Sequence, residues 1–323
     1  MDKFSPYTDL AVEAAEALAE DIESNSGIEI TTREEESASV THVRITNQQG
    51  AEQTGKPIGS YITIESPFMR ENTPEIHEDI KKLFADSLAE LCSLDSDDSV
   101  LVVGLGNRYV TPDSLGPKVI SGIMVTRHIK ESLPEEIKDN VRPVAAVTPG
   151  VMGLTGIETS EIIKGIAEKA KPSLIIAIDA LAARKTSRIN STVQMSDTGV
   201  TPGAGVGNTR GALNKETMGV PVIAIGVPTV VDAATLVNDS LDSIIGQMLE
   251  QSGEGQPFYN TLKHLSGEEK YSLISACLDP YSGNMFVTPK EVDSVVDTLA
   301  DIISGGINMA LQPEVDMGNV NII

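Results

Sequence analysis

The 323-residue sequence has no tryptophan, and aromatic residues make up only 3% of it. Proteins that hold single-stranded nucleic acid need such rings as stacking platforms. Basic residues are also scarce: 24 Lys and Arg stand against 47 Asp and Glu, a formal net charge of −23. A surface of that sign repels phosphate backbones, so no direct nucleic-acid partner is expected. Cys92 and Cys277 are the only 2 cysteines, too few for a disulfide framework or a Cys-based zinc site. The 4 histidines, His42, His77, His128 and His264, are scattered. There is no HExxH and no tight His/Cys cluster, so neither metal nor cofactor is expected. No apolar run reaches the roughly 18 residues that a membrane helix needs. The opening MDKFSPYTDLAVEAAEALAE lacks a basic stretch followed by an apolar one, unlike a secretory signal. The expectation is a cytoplasmic protein with no membrane partner.

What the chain does have is aliphatic. Hydrophobic residues make up 40%, enough for a sizeable core of Ile, Val, Leu, Ala and Met. Residues 10–23, LAVEAAEALAEDIE, read as an acidic helix. Residues 28–65 alternate and are rich in Ile, Val and Thr, which predicts a small antiparallel sheet. Residues 75–94 show helical spacing at Ile76, Ile80, Phe84, Leu88 and Leu91. From residue 99 the rhythm becomes strand, loop, helix: SVLVVGLGN, then GPKVISGIMVTRHIKESL; VRPVAAVTPG, then TSEIIKGIAEKAKP; SLIIAID; MGVPVIAIGVPTVV, then AATLVNDSLDSIIGQML. That alternation predicts a mostly parallel sheet with helices on both faces, a three-layer α/β/α sandwich. Residues 251–290 break the rhythm as an excursion from the core, and residues 290–310 return as a helix.

In an open α/β sheet, ligands bind beyond the carboxyl ends of the strands. Three loops follow predicted core strands there: residues 104–117, 179–208 and 226–233. Gly104-Leu105-Gly106 suggests a dinucleotide fingerprint, but Tyr109 stands where the third glycine would. The run SLIIAI leads straight into Asp179. A carboxylate at the end of a buried strand is costly unless paired or hydrogen-bonded. Asp113 precedes a predicted helix, where an N-cap role would explain it. If the two strands are adjacent, Asp113 and Asp179 face one another instead. Neighbouring carboxylates cannot both ionise cheaply, so such a pair shares a proton and can act as base and acid. Asp197 and Asp232 are loop carboxylates that read as turn or cap residues. A Ser–Lys pair of Lys185 with Ser187 or Ser191 is the weaker nucleophilic alternative, and no histidine in these loops could serve a Ser–His–Asp triad.

The blocks VVGLGNRYVTPDSLGPKV, TPGVMGLTGIET, IDALAARKTSRINSTVQMSDTGVTPGAGVGN and GVPTVVDAAT carry a resemblance to the germination proteases of endospore-forming bacteria. The resemblance covers nearly the whole chain and is weakest over 251–290. It implies an atypical aspartic endopeptidase of the forespore and spore core that degrades small acid-soluble spore proteins. It further implies an inactive, self-processing homotetrameric zymogen, with a fold similar to hydrogenase-maturation endopeptidases. Its two essential aspartates map to Asp113 in TPDSLGP and Asp179 in AIDALAAR. Arg184 or Lys185 is then a candidate oxyanion or substrate support. Family substrates are cut where Thr-Glu meets Phe or Ile, followed by Ala-Ser-Glu. Residues 8–13, Thr8-Asp9-Leu10-Ala11-Val12-Glu13, are similar, which implies a propeptide of residues 1–9 released by cleavage between Asp9 and Leu10 from one peptidase domain, 10–323. The rival reading is a metal-dependent or non-catalytic relative of the hydrogenase-maturation fold that binds a partner protein or an ion.

Overall fold

The computed structural model describes residues 8–18, 27–71, 73–134, 138–202, 211–237, 240–241 and 285–314. One nine-stranded mixed sheet organises them, in the order β1-β2-β3-β7-β8-β6-β4-β5, with β9 on β8. The strands are β1 (Ile28–Glu34), β2 (Ser39–Ile45), β3 (Gly59–Glu65), β4 (Val100–Gly104), β5 (Val144–Val147), β6 (Leu174–Ala183), β7 (Thr192–Ser196), β8 (Val222–Asp232) and β9 (Phe286–Val287). The helices, in chain order, are α1 (Ala11–Glu16), α2 (Gln48–Thr54), α3 (Pro74–Leu91), α4 (Leu115–Ser121), α5 (Met152–Thr155), α6 (Thr159–Ala170), α7 (Lys215–Met218) and α8 (Val292–Leu311).

The sheet is mixed, not mostly parallel. Only β5, β4, β6 and β8 run parallel to one another. The predicted antiparallel element, β1 to β3, is not separate from the core. It joins through β7, which pairs antiparallel with both β3 and β8. Sequence reading placed β7 inside a long loop, because TVQMS is short and follows a turn.

Burial on both faces explains the unbroken apolar strands. Val100 and Val102 of β4, with Ile176 and Ile178 of β6, pack against Ile80, Phe84 and Leu88 of α3 and Val296, Leu299 and Ile303 of α8. Their neighbours Leu101, Val103, Ile175 and Ala177 face the other way, onto Ile163 and Ala167 of α6 and Met218 of α7. Further across that second face, α1 supplies Ala11, Val12 and Ala15, which lie with Leu10 on Val43, Ile45, Tyr61 and Ala183. The second face is thus covered at its two ends by different helices.

Element ends differ from the sequence reading in instructive ways. The helix expected over 116–133 stops at Ser121, and a short 3-10 turn follows at Lys130–Ser132. Its start packs hard on β4: a Cβ on Gly104 would stand 2.3 Å from the Gly116 carbonyl oxygen. The helix expected after β8 is present over 233–237 and 240–241, and its continuation lies outside the described residues. So do residues 19–23 of the first predicted helix, residues 1–7 and 24–26, most of the 251–290 excursion, and His264 and Cys277. Among the described residues no helix is long and apolar enough to cross a membrane.

Candidate active site

A cleft of about 930 Å³ opens on the second face, between the α6–α7 cover and the α1 cover. Asp113 and Asp179 both line it, so the structure brings the two predicted residues to one place. Asp179 does not end its strand. It is sixth of ten residues in β6, which runs on to Ala183. Side chains alternate along a strand, so Asp179 points to the same face as Ile175 and Ala177. It has passed the reach of α6, and it stays 6% exposed. Its Oδ1 accepts from the Ala180 amide at 3.0 Å.

Asp113 closes a 3-10 turn, Thr111–Asp113, between β4 and α4. It is not the side-chain cap of α4; Ser114 holds the cap position, without a side-chain bond. The Asp113 Oδ2 instead accepts from the Asn107 amide at 2.8 Å, and its carbonyl accepts from the same amide at 3.0 Å. The turn is tied to β8, where Thr229 Oγ1 donates to the Pro112 carbonyl at 2.7 Å. Gly106 makes this wrap feasible. Its φ is +100°, and a Cβ there would stand 2.1 Å from the Asp113 carbonyl oxygen. An L side chain meets both strain and backbone collision at that position. Gly106→Ala should therefore cost about 2 kcal/mol or more in urea denaturation and displace Asp113, lowering turnover more than substrate affinity. Unchanged stability and turnover would show that the loop has another way to close.

The N-terminal segment lies in the cleft, where Thr8 and Asp9 form part of its wall. The Asp9 amide donates to the Ala182 carbonyl at 3.1 Å, and the Ala182 amide donates back to Asp9 Oδ2 at 2.8 Å. Lys56 Nζ donates to the Thr8 carbonyl at 2.8 Å. Burial holds that ammonium below its ordinary pKa, against the opposing pull of the Asp9 and Glu13 carboxylates. Gln194 of β7 receives the Ala11 amide on its Oε1 at 2.6 Å and donates from Nε2 to the Asp9 carbonyl at 3.2 Å. Leu10 is 0% exposed. Tyr61 also lines the cleft; burial first of all pushes its phenol up to about 12, so it stays protonated, and its hydroxyl donates to the Pro57 carbonyl at 2.8 Å.

Arg184 and Lys185 do not reach the cleft wall. Their amides bind the two oxygens of Glu13 at 2.8 and 2.9 Å, and Lys185 Nζ pairs with Glu16 at 2.6 Å. That pairing also takes Lys185 away from Ser187 and Ser191. Ser191 receives Arg70 at 2.7 Å and donates to the Ser187 carbonyl. Asp197 accepts from the Ser60 amide of β3, and Asp232 from the amide and hydroxyl of Thr235 three residues on, as a cap residue does. His77 is buried against the Phe68 carbonyl, and His42 lies by Glu90. Among the described residues no group of three or more His, Cys, Asp or Glu side chains could hold a metal ion.

Sequence reading missed Gln194 and Lys56. No motif marks them; they are found only because β7 and the loop before β3 border the cleft.

Comparison with known proteins matches residues 7–262 and 247–323 to a family model described as germination protease. Relatives bearing that name include one from Clostridium acetobutylicum, 51% identical over 321 residues and covering 98% of each chain. Another, from Clostridium tetani, is 49% identical over 318 residues, again with 98% of each chain covered. One from Bacillus cereus is 42% identical over 356 positions, covering 99% of this chain and 97% of the relative.

Proposed function

The chain belongs to the germination protease family, a peptidase acting on protein substrates, and from that membership we propose an aspartic-type endopeptidase in which Asp113 and Asp179 are the catalytic dyad. The observation that supports this reading is the shared cleft, which holds both carboxylates and the chain's own Thr8–Asp9 segment. One carboxylate takes a proton from water, whose oxygen attacks the peptide carbonyl carbon. The other, protonated, gives its proton to the leaving nitrogen as the C–N bond breaks. The substrates we propose are small acid-soluble spore proteins, met in the forespore and spore core. The oligomer we propose is a homotetramer. Likeness to hydrogenase-maturation endopeptidases belongs to the same proposal, supported by the four parallel strands at the site.

Residues 1–9 act as a propeptide in this reading, removed between Asp9 and Leu10 by the chain itself. Leu10 is fully buried and Asp9 is bonded on both sides of its backbone, so an outside protease would meet the bond only after local opening. Asp9, on the acyl side of that bond, already lines the enzyme's own cleft. N-terminal sequencing after mild acid incubation should give a new terminus at Leu10 in the wild type and none in Asp179→Asn. Equal trimming of both chains assigns the cut to another protease and defeats self-processing.

A further inference from the structure

We propose that Gln194 is a catalytic residue: its carboxamide N–H holds the carbonyl oxygen of the bond to be cut and stabilises the oxyanion formed there. The proposal rests on the reading that the Asp9–Leu10 bond lies in the cleft as a substrate bond.

The register of three strands places Gln194 for this task. Asp179 of β6 stands opposite Gly226 of β8, and Gly226 stands opposite Gln194 of β7. Residues paired in this way project from the same face of a sheet. Flanking residues confirm which face. Ile225 and Val227, and likewise Val193 and Met195, pack on the α3–α8 side, so Gly226 and Gln194 belong to the cleft side with Asp179. Two strand spacings separate the Asp179 and Gln194 backbones, about 10 Å. Gly226 puts no side chain between them. The row is a carboxylate, a glycine and a carboxamide, and the Leu181 side chain lies over the glycine, its Cδ1 2.4 Å from where a Cβ there would stand.

The segment in the cleft is gripped accordingly. Gln194 Nε2 lies 3.2 Å from the Asp9 carbonyl oxygen, the acceptor of the Asp9–Leu10 bond, while its Oε1 receives the Ala11 amide at 2.6 Å. Those two contacts fix the orientation of the amide, because turning it over would set donor against donor and acceptor against acceptor. The Lys56 and Tyr61 donors of the cleft are engaged with carbonyls other than that of Asp9. Lys56 holds the Thr8 carbonyl, Tyr61 holds Pro57, and Lys185 holds Glu16.

Water oxygen bonds to the Asp9 carbonyl carbon and its proton passes to one carboxylate. The carbonyl π pair moves onto oxygen, which draws in the Gln194 N–H as its charge grows. The C=O then re-forms, the C–N bond breaks, and the Leu10 nitrogen leaves with the proton of the second carboxyl. A neutral donor suits this site. It stabilises the oxyanion without a fixed positive charge that would strip the dyad of its shared proton.

The test uses the full chain as enzyme, with two substrates: its own N-terminus and, in trans, a small acid-soluble spore protein. Gln194→Met keeps the length and removes the donor, and should lower kcat about 100- to 1,000-fold, with KM changed by no more than about threefold. Gln194→Glu should be as slow near neutral pH, where a carboxylate faces the carbonyl oxygen. Its activity should recover as the side chain protonates and can donate again, whereas Gln194→Met shows no recovery. A purely structural role would not produce that split. A kcat for Gln194→Met within about threefold of wild type, or a Gln194→Glu profile parallel to that of Gln194→Met, overturns the assignment. If Gln194→Met fails to melt cooperatively, the Gln194→Glu profile decides alone. A wild type that cuts the spore protein and leaves its own residues 9 and 10 joined defeats the propeptide reading, and Gln194 is then judged on the spore protein. A wild type that cuts neither overturns both.

Discussion

Asp179→Asn and Asp113→Asn should each reduce peptide cleavage at least about 1,000-fold while leaving the fold in place. Asparagine is the informative replacement at both positions. Asp179 Oδ1 accepts from the Ala180 amide and Asp113 Oδ2 from the Asn107 amide, and an amide oxygen can accept the same bonds. What asparagine cannot do is take a proton from water or give one to a leaving amine. Circular dichroism and melting temperature should match wild type, and only turnover should fall. A variant that keeps more than about a tenth of wild-type kcat removes that residue from proton transfer. The same preparation separates the dyad from the metal-dependent alternative. Dialysis against a chelator should leave wild-type turnover unchanged, and loss restored by added divalent metal would favour the alternative.

The parallel half of the fold was legible because β4, β6 and β8 are buried on both faces and so read as continuous apolar runs. Their order and the helices after them follow from chain rhythm. Asp179 was legible for the same reason: a carboxylate in an apolar run stands out. Its setting was not. The sequence reads as a strand that stops at Asp179, but Ala180-Leu181-Ala182-Ala183 continues it, because alanine and leucine signal helix as readily as strand and only pairing with Val227 to Val231 decides. β7 was missed because five residues between turns carry little period, and its strand state comes from neighbours β3 and β8. With β7 unseen, Gln194 could not be placed opposite Gly226, nor the antiparallel strands joined to the core. Arg184 and Lys185 were drawn to the site by proximity in sequence to Asp179. In the fold their amides and the Lys185 ammonium are committed to Glu13 and Glu16, a contact between residues roughly 170 apart that no local pattern announces.

That contact leads to the largest stability effect expected outside the core. Arg188 is 6% exposed and sits among three glutamates. Its Nε lies 2.7 Å from Glu65 at the end of β3, its Nη2 lies 2.6 Å from Glu16, and its Nη1 lies 3.6 Å from Glu13. Burial alone would lower the guanidinium pKa; bonds to Glu16 and Glu65 more than offset this and hold it above its ordinary value. One side chain, on the 3-10 turn Thr186–Arg188, therefore ties α1 to the end of β3. Glu13 is 3% exposed, so removing the cation leaves a buried carboxylate supported mainly by amides. Arg188→Met should cost about 3 to 5 kcal/mol in urea denaturation, as breaking a buried ion cluster does. Arg188→Lys should recover only part, since one ammonium cannot make the fork to Glu16 and reach Glu65 as well. The pH dependence carries the signature. Burial raises the Glu16 pKa, but Arg188 and Lys185 outweigh it and hold the carboxyl below its ordinary 4.5. A depressed carboxyl stabilises the fold above its unfolded pKa and loses that contribution as pH falls through the folded value. Wild type should therefore lose stability in that acid window, and Arg188→Met should lose much less there, having already lost the partner. Because α1 also holds Leu10 in place, the Met variant should release its N-terminal segment to hydrogen exchange at neutral pH. Equal urea midpoints for wild type and Arg188→Met, or parallel acid profiles, would show that the amides of Arg184 and Lys185 alone are enough to dock α1.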